Sequence, residues 1–293
     1  LYVGRFAPSP TGPLHLGSLV TAVASYADAR AAKGRWLLRI EDIDRPRCTA
    51  RAEAEIRRQL AAYGFEQDGE VIRQSERGDV YEATLQQLAA AGHLFACSCT
   101  RRELASVPRN HEGEIIYPGT CRARPAPANT AHALRIRVPD DAAALISFDD
   151  VVCGTVAQNL ATDLGDFVLR RADGLYAYQL AVVVDDAMQG ITHVVRGADL
   201  VLNTPRQIFL QRLLGLTTPS YLHVPLVRNA LGEKLSKQTR ATAISVDEVL
   251  PTLAQAWAFL RQEPIGNVRS PGDFWRHAAE LWTPSRVQCP QRA

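Results

Sequence analysis

Lysine is nearly missing from this chain: of 33 basic residues only Lys33, Lys234 and Lys237 are lysines, and the rest are arginines. With a formal net charge of only +2, the chain carries no polybasic tail, so any nucleic-acid contact must come from local arginine patches rather than a global field. Long apolar runs are missing as well. Stretches such as LAVVV at 180–184 fall far short of the roughly 20 residues that a membrane span needs, and no leader pattern opens the chain. Six cysteines in 293 residues are too few for a disulfide scaffold. These absences lead to the expectation of a cytoplasmic protein without membrane contact, whose 46% apolar residues suffice for a sizeable core.

Two of these scarce residue types are concentrated where they occur. Lys234 and Lys237 share the segment EKLSKQ at 233–238, in a chain that otherwise uses arginine by default; the segment asks for a compact, pointlike ammonium. Cys97, Cys99 and Cys121 cluster, a pattern that favours metal over a disulfide, whereas Cys48, Cys153 and Cys289 are scattered and read as small hydrophobes.

The alternation of apolar patterns gives the fold class. YVGRF reads as a strand, 14–33 as a helix with Leu14, Leu16, Leu19, Val20, Val23, Tyr26 and Ala27 at helical spacing, RWLLRIEDID as a strand and RAEAEIRRQLAAYGF as an amphipathic helix. Strand, helix, strand, helix predicts an α/β fold with a doubly wound parallel sheet, whose ligands bind at the carboxyl ends of the strands. Arg5 to Pro10 and Glu41 to Asp44 fall there. Composition shifts over 93–177 to the cysteine cluster, RPAPANTA and short strand-like pieces, an insertion. Alternation resumes with YAYQLAVVVDD, THVVRGAD and the helix PRQIFLQRLLG. The expected organisation is a catalytic domain of 1–92 and 178–228, an inserted domain of 93–177, and a lysine loop with a mostly helical region over 229–293.

FAPSPTGPLHLGSL, residues 6–19, has two glycines at phosphate-loop spacing but Ser18 where that loop needs lysine. An alternative reading needs no lysine there. Pro13 suits a first helical turn and Thr11 or Gly12 can cap it, so the first-turn amides and the positive helix end form an anion site. His15 and Ser18, three apart, add donors on one face, and Gly17 lets a nucleotide approach the backbone.

HLGS at 15–18 and KLSKQ at 234–238 resemble the two signature motifs of class I aminoacyl-tRNA synthetases. Together with RFAPSPTG, RIEDID, VVVDDAMQGITHVVRGADL and HVPLV between them, the resemblance is to the glutamyl branch, and within it to the short glutamyl-Q tRNA(Asp) synthetases. The short branch leads to the expectation that no anticodon-binding region, as in a full glutamyl-tRNA synthetase, follows Gln238. The resemblance implies a ligase that joins L-glutamate to ATP without tRNA, giving glutamyl-adenylate, and passes glutamate to the queuosine base of tRNA(Asp). It leaves open a truncated synthetase charging tRNA(Glu), or a non-catalytic tRNA-binding paralogue. A monomer is expected.

The resemblance also implies roles. His15, Gly17, Ser18, Lys234 and Lys237 would hold ATP, with His15, Ser18 and the two lysines carrying catalysis and Mg2+ accompanying the nucleotide. Arg5 and Arg196 would grip carboxylates, since a planar guanidinium offers two parallel hydrogen bonds. Glu41 would take the α-ammonium, with Ala7, Ser9 and Tyr178 completing the pocket. Asp185 and Asp186 read as helix-capping or helix-start residues. Cys97, Cys99 and Cys121 would hold a structural Zn2+ with Tyr117 as fourth ligand, His111 being the chemical alternative.

Overall fold

The computed structural model describes residues 1–124, 130–229, 232, 235 and 242–289. In chain order the elements are β1 (Val3–Phe6), α1 (Leu16–Ala31), β2 (Arg35–Ile40), α2 (Ala50–Ala62), β3 (Ile72–Arg73), α3 (Gly78–Ala90), β4 (Leu94–Cys97), β5 (Ala133–Ile136), β6 (Leu145–Asp150), β7 (Gly154–Asn159), α4 (Leu160–Asp163), β8 (Val168–Arg170), α5 (Tyr178–Met188), β9 (His193–Gly197), α6 (Thr204–Leu213), β10 (Ser220–Val224), α7 (Val249–Phe259) and α8 (Pro271–Leu281).

Two strand sets form the parallel centre. β1, β2 and β3 pair in parallel, and β9, β10 and β6 pair in parallel with β7 antiparallel at the edge. They meet where β1 lies beside β9: the Thr192 amide donates to the Val3 carbonyl at 2.9 Å and the Val3 amide to Thr192 Oγ1 at 2.8 Å. Side chains alternate across this sheet with period two. Phe6, Trp36, Leu38, Ile40, Val195, Leu222 and Val224 pack against α1. Val3, Leu37, Val194 and Tyr221 face the other way, against α3, α5 and α6. Helices thus cover both faces, as the doubly wound pattern requires.

Helix α1 is buried on almost every side, including Ala22, Ala24, Ala27 and Ala29, because α7 and α8 cover what the sheet does not. Its start departs from expectation. Neither Thr11 nor Gly12 caps it, and Pro13 precedes the helix; the cap is His15, in extended conformation, whose Nδ1 accepts from the Ser18 amide. Leu14 is held outside the first turn, its amide donating to Gln59 Oε1 at 2.8 Å.

YAYQLAVVVDD folds as α5, whose valines favour strands in isolation but are buried here between sheet and helices. Within 93–177, β4, β5 and β8 form a separate antiparallel sheet, while the β6–β7 hairpin joins the main sheet through the pairing of Asp150 with Tyr221. No described helix is long and apolar enough to cross a membrane.

Candidate active site

The face of β1 and β2 under α5 carries charge at its carboxyl end. Arg5 pairs with Leu37 in the ladder, so Arg5 and Arg39 share that face. Both are buried, and the last turns of α5 supply the counter-charge. Arg5 Nε donates to Asp186 Oδ1 at 3.1 Å, and Arg39 Nη2 lies 2.8 Å from the same oxygen. Burial alone raises the Asp186 carboxyl, but Arg5 and Arg39 outweigh it and hold it below the ordinary carboxylate range. Asp185, fully buried, accepts from Gln74 Nε2 (2.8 Å), Arg77 Nε (2.5 Å) and Tyr81 OH (2.8 Å). The capping role expected of Asp185 and Asp186 is therefore corrected. They lie near the helix end and anchor arginines, because buried guanidinium groups require carboxylates.

Arg5, Ala7, Ser9, Glu41, Tyr178 and Arg196 all line one cavity of about 300 Å3. Its floor is set by the loop after β1, which the Glu41 amide pins by donating to the Pro8 carbonyl at 3.1 Å. Phe6, Thr21, Val195, Gly197 and Leu200 complete the lining, and none of them is among the site residues that the sequence implies. Glu41 is raised above the ordinary carboxylate value by burial, which the nearby Arg39 and Arg5 only partly offset. Burial also raises the Tyr178 hydroxyl, eased by Arg196, so it stays protonated at neutral pH.

Arg196 gives the cavity its chemistry. It is 4% exposed, and its hydrogen bonds go to uncharged groups: Nε to His223 at 3.1 Å, Nη1 to Tyr178 OH at 3.3 Å, Nη2 to Thr204 Oγ1 at 2.7 Å. A buried guanidinium bonded to neutral acceptors retains an unmet demand for an anion. Arg5 and Arg39 share the Asp186 carboxylate, whereas the hydrogen bonds of Arg196 among the described residues go to no carboxylate.

At the amino end of α1, Ser18 Oγ lies 3.2 Å from His15 Nε2, so the imidazole and hydroxyl form one polar unit at the positive helix end. Gly17 leaves room beside the ring, since a Cβ there would lie 3.1 Å from His15 Cε1 and 3.2 Å from Nδ1. Leu235, the residue between Lys234 and Ser236, has its carbonyl 3.7 Å from that same Cβ position, and its amide donates to the Val227 carbonyl at 2.8 Å. His15 also bridges Ala243, and the Ile244 amide donates to the Leu14 carbonyl. The described flanks of the lysine segment thus lie against the start of α1. Lys234 and Lys237 themselves lie outside the described residues.

The thiols of Cys97, Cys99 and Cys121 all lie within 4.8 Å of one another, a group able to hold a metal ion. Tyr117 OH lies 3.4 Å from Cys97 Sγ and 3.8 Å from Cys99 Sγ, and accepts from the Cys121 amide at 3.0 Å. Tyr117 is placed by Gly165, whose φ of +71° and missing side chain let the Tyr117 backbone approach; a Cβ would lie 2.3 Å from the Tyr117 carbonyl oxygen. The Tyr117 amide donates to Leu164 O at 2.8 Å. His111 is exposed and faces Glu112, away from the cluster. Burial raises Cys99 to about 11; Cys121 feels the same burial, but hydrogen bonds from Tyr117 and the Ser98 backbone outweigh it and bring it to about 7. One thiol that ionises near neutrality, two more beside it and a phenol oxygen form a donor set suited to zinc.

Comparison with known proteins gives the family. The profile of tRNA synthetases class I (E and Q), catalytic domain, matches residues 2–266. The chain is 58% identical to the glutamyl-Q tRNA(Asp) synthetase of Thiobacillus denitrificans, covering 96% of this chain and 93% of that protein. It is 49% identical to the protein of that name from Neisseria meningitidis serogroup C, covering 98% and 97%. Among solved structures it is similar to a glutamate tRNA ligase from Elizabethkingia meningosepticum in complex with its amino acid, at 26% identity and a TM-score of 0.80, covering 98% of this chain and 66% of that ligase's length. Methionyl-tRNA synthetase from Mycobacterium tuberculosis shares the fold alone, at 12% identity and a TM-score of 0.58. The chain belongs to the glutamyl-Q tRNA(Asp) synthetase family, within the class I (E and Q) tRNA synthetases.

Proposed function

We propose that this chain activates L-glutamate with ATP, without tRNA, and transfers the glutamyl group to the queuosine base of tRNA(Asp). The observation that carries the reading is Arg196: a buried cation whose hydrogen bonds among the described residues go to neutral groups, in a cavity sized for an amino acid that Arg5 and Glu41 also line. Such a cavity favours a ligand that brings its own carboxylates and an ammonium. The relatives' names and the fold support the same reading.

In this account a glutamate carboxylate oxygen attacks the α-phosphorus of ATP. A phosphorus–oxygen bond forms, the bond to the bridging oxygen breaks, and pyrophosphate leaves with the electron pair. The step needs positioning and charge stabilisation more than a base. Arg5 and Arg196 hold carboxylates, Glu41 accepts from the ammonium, and Ala7, Ser9 and Tyr178 shape the pocket. His15, Gly17 and Ser18 receive the triphosphate at the start of α1. Lys234 and Lys237 stabilise its developing charge, and Mg2+ accompanies the nucleotide. A hydroxyl of the acceptor then attacks the acyl carbon and AMP leaves.

We place the acceptor nucleoside in the neighbouring cavity of about 460 Å3, which shares Ser9, Glu41 and Tyr178 with the first and is also lined by Arg47, Arg171 and Tyr176. Guanidinium and phenol groups suit phosphates and unstacked bases. A zinc ion held by Cys97, Cys99, Cys121 and Tyr117 is structural in this account, because four ligands leave no open position. The work divides between a catalytic unit of 1–92 and 178–228, whose sheet the β6–β7 hairpin extends, and the rest of the inserted 93–177.

Two assays test the proposal. Exchange of labelled pyrophosphate into ATP should depend on glutamate and proceed without tRNA; absence of exchange supports a non-catalytic paralogue. Labelled glutamate should pass to tRNA(Asp) only when queuosine is present; label on unmodified tRNA, or on tRNA(Glu), overturns the acceptor assignment.

A further inference from the structure

We infer that Asp150 and His223 form a positioning dyad that fixes the orientation and charge environment of Arg196 while keeping its guanidinium open to a substrate carboxylate. The inference rests on the glutamate-activating reading above. His223 and Arg196 stand side by side on the paired strands β10 and β9, and Asp150 ends the neighbouring strand β6. All three are buried, His223 completely.

The hydrogen bonds leave one arrangement of protons. Asp150 Oδ1 is occupied by the amides of Val152 (3.0 Å) and Cys153 (2.9 Å), with the His223 amide at 3.4 Å. Its other oxygen lies 2.6 Å from His223 Nδ1. With these donors around it the carboxyl is held below the ordinary value despite burial, and so stays ionised and can only accept. Nδ1 therefore carries the imidazole proton. Nε2 is left with a lone pair, which accepts from Arg196 Nε at 3.1 Å, a nitrogen that is always a donor, with Thr204 Oγ1 also 3.3 Å away.

An intervening imidazole has a consequence that a direct carboxylate lacks. Asp186 sits directly on Arg5 and Arg39 and shares its charge between them. An aspartate in the same relation to Arg196 would neutralise it and compete with an incoming carboxylate. Through His223, the Asp150 charge is one ring away, close enough to orient Arg196 and too far to occupy it. Thr204, bonded to Nη2, completes the frame.

The test is Asp150→Asn, which keeps the number of heavy atoms. The backbone donors at Oδ1 hold the new carbonyl there, so the amide nitrogen takes the Oδ2 place and donates to His223 Nδ1. The proton moves to Nε2, which then faces Thr204 Oγ1 as a donor and no longer accepts from Arg196 Nε. A carboxylate-to-amide change beside a histidine acts elsewhere through the same tautomer switch. In glutamate-dependent pyrophosphate exchange the KM for glutamate should rise about 10- to 100-fold, by analogy with other supporting-residue losses, while the KM for ATP stays within about twofold. His223→Gln, which keeps an acceptor toward Arg196, should recover most of the loss, and His223→Leu should not. A rise in both KM values together, or an unchanged KM for glutamate, overturns the proposal. A second readout is independent of activity: nitrogen-15 spectra of histidine-labelled wild-type protein should show His223 protonated at Nδ1 and bare at Nε2, and the reverse in Asp150→Asn. The opposite tautomer in the wild type overturns the dyad even if exchange is robust. Absent exchange in a wild type with the stated tautomer instead overturns the activating reading and leaves the dyad standing.

Discussion

Arg5 Nε and Asp186 Oδ1 lie 3.1 Å apart in a buried pair that joins the end of the first strand to the last turns of α5. Asp186 serves Arg39 as well, so one carboxylate holds two buried cations on one sheet face, of which Arg5 lines the pocket. Removing it should cost far more than removing a surface ion pair. Asp186→Ala is expected to lower unfolding free energy by about 3–5 kcal/mol, because it strands buried charge. Urea unfolding measures this, and a loss below about 1 kcal/mol would contradict it.

Arg196 should behave differently. Its partners are neutral, so its replacement strands no buried anion. Arg196→Gln is expected to leave thermal stability nearly unchanged while raising the KM for glutamate by roughly 100-fold, the scale of losing a buried charged contact to a ligand. Pyrophosphate exchange together with a melting curve separates the two effects.

The pH dependence follows from shifts of opposite sign. Asp186 and Asp150 are depressed, so their contribution to stability is complete above the ordinary value of 3.8 and is lost as pH falls through their lower folded values. Melting temperature should therefore fall steeply only below about pH 4, and less steeply in Asp150→Asn. Glu41 is raised, so its ionised form costs stability at neutral pH, a cost that fades as pH falls toward the ordinary value of 4.5. Glu41→Gln should thus melt higher than the wild type at pH 7 and yet lose glutamate-dependent exchange. A lower melting temperature would contradict the assigned sign.

The cysteine cluster makes a prediction of its own. Purified protein should carry one zinc per chain, released by a chelator. Tyr117→Phe should weaken retention about 10- to 100-fold, the scale of a lost site contact. His111→Ala should not change it, since His111 faces Glu112 at the surface. Elemental analysis during chelator titration reads both.

Much of this was legible in the sequence. The 3.6 and 2.0 periodicities marked the strand and helix order around β1, α1 and β2, and motif residues spread from Arg5 to Arg196 line one cavity. The rest depended on long-range partners. The α1 cap eluded the reading because propensity favours Thr11 or Gly12, whereas the His15 imidazole and the Gln59 side chain, from another helix, set the true start. Asp185 and Asp186 looked like caps because their arginine partners lie more than a hundred residues away. The β6–β7 hairpin fell inside an apparent insertion, and only its pairing with β10 shows where it belongs. No local signal marks Thr21 as a pocket wall; its position one turn after Gly17 does, once α1 is placed.

The central claim is that one cavity holds glutamate by Arg5, Arg196 and Glu41 while the start of α1 at His15 holds the nucleotide phosphate. A crystal structure with a non-hydrolysable glutamyl-adenylate analogue tests it most directly. The account predicts a glutamyl carboxylate within about 3 Å of the Arg196 guanidinium, the ammonium on Glu41, and the phosphate mimic beside His15 and Ser18. A glutamyl group bound outside the Arg5–Arg196 cavity, or a phosphate mimic away from the α1 start, would contradict it.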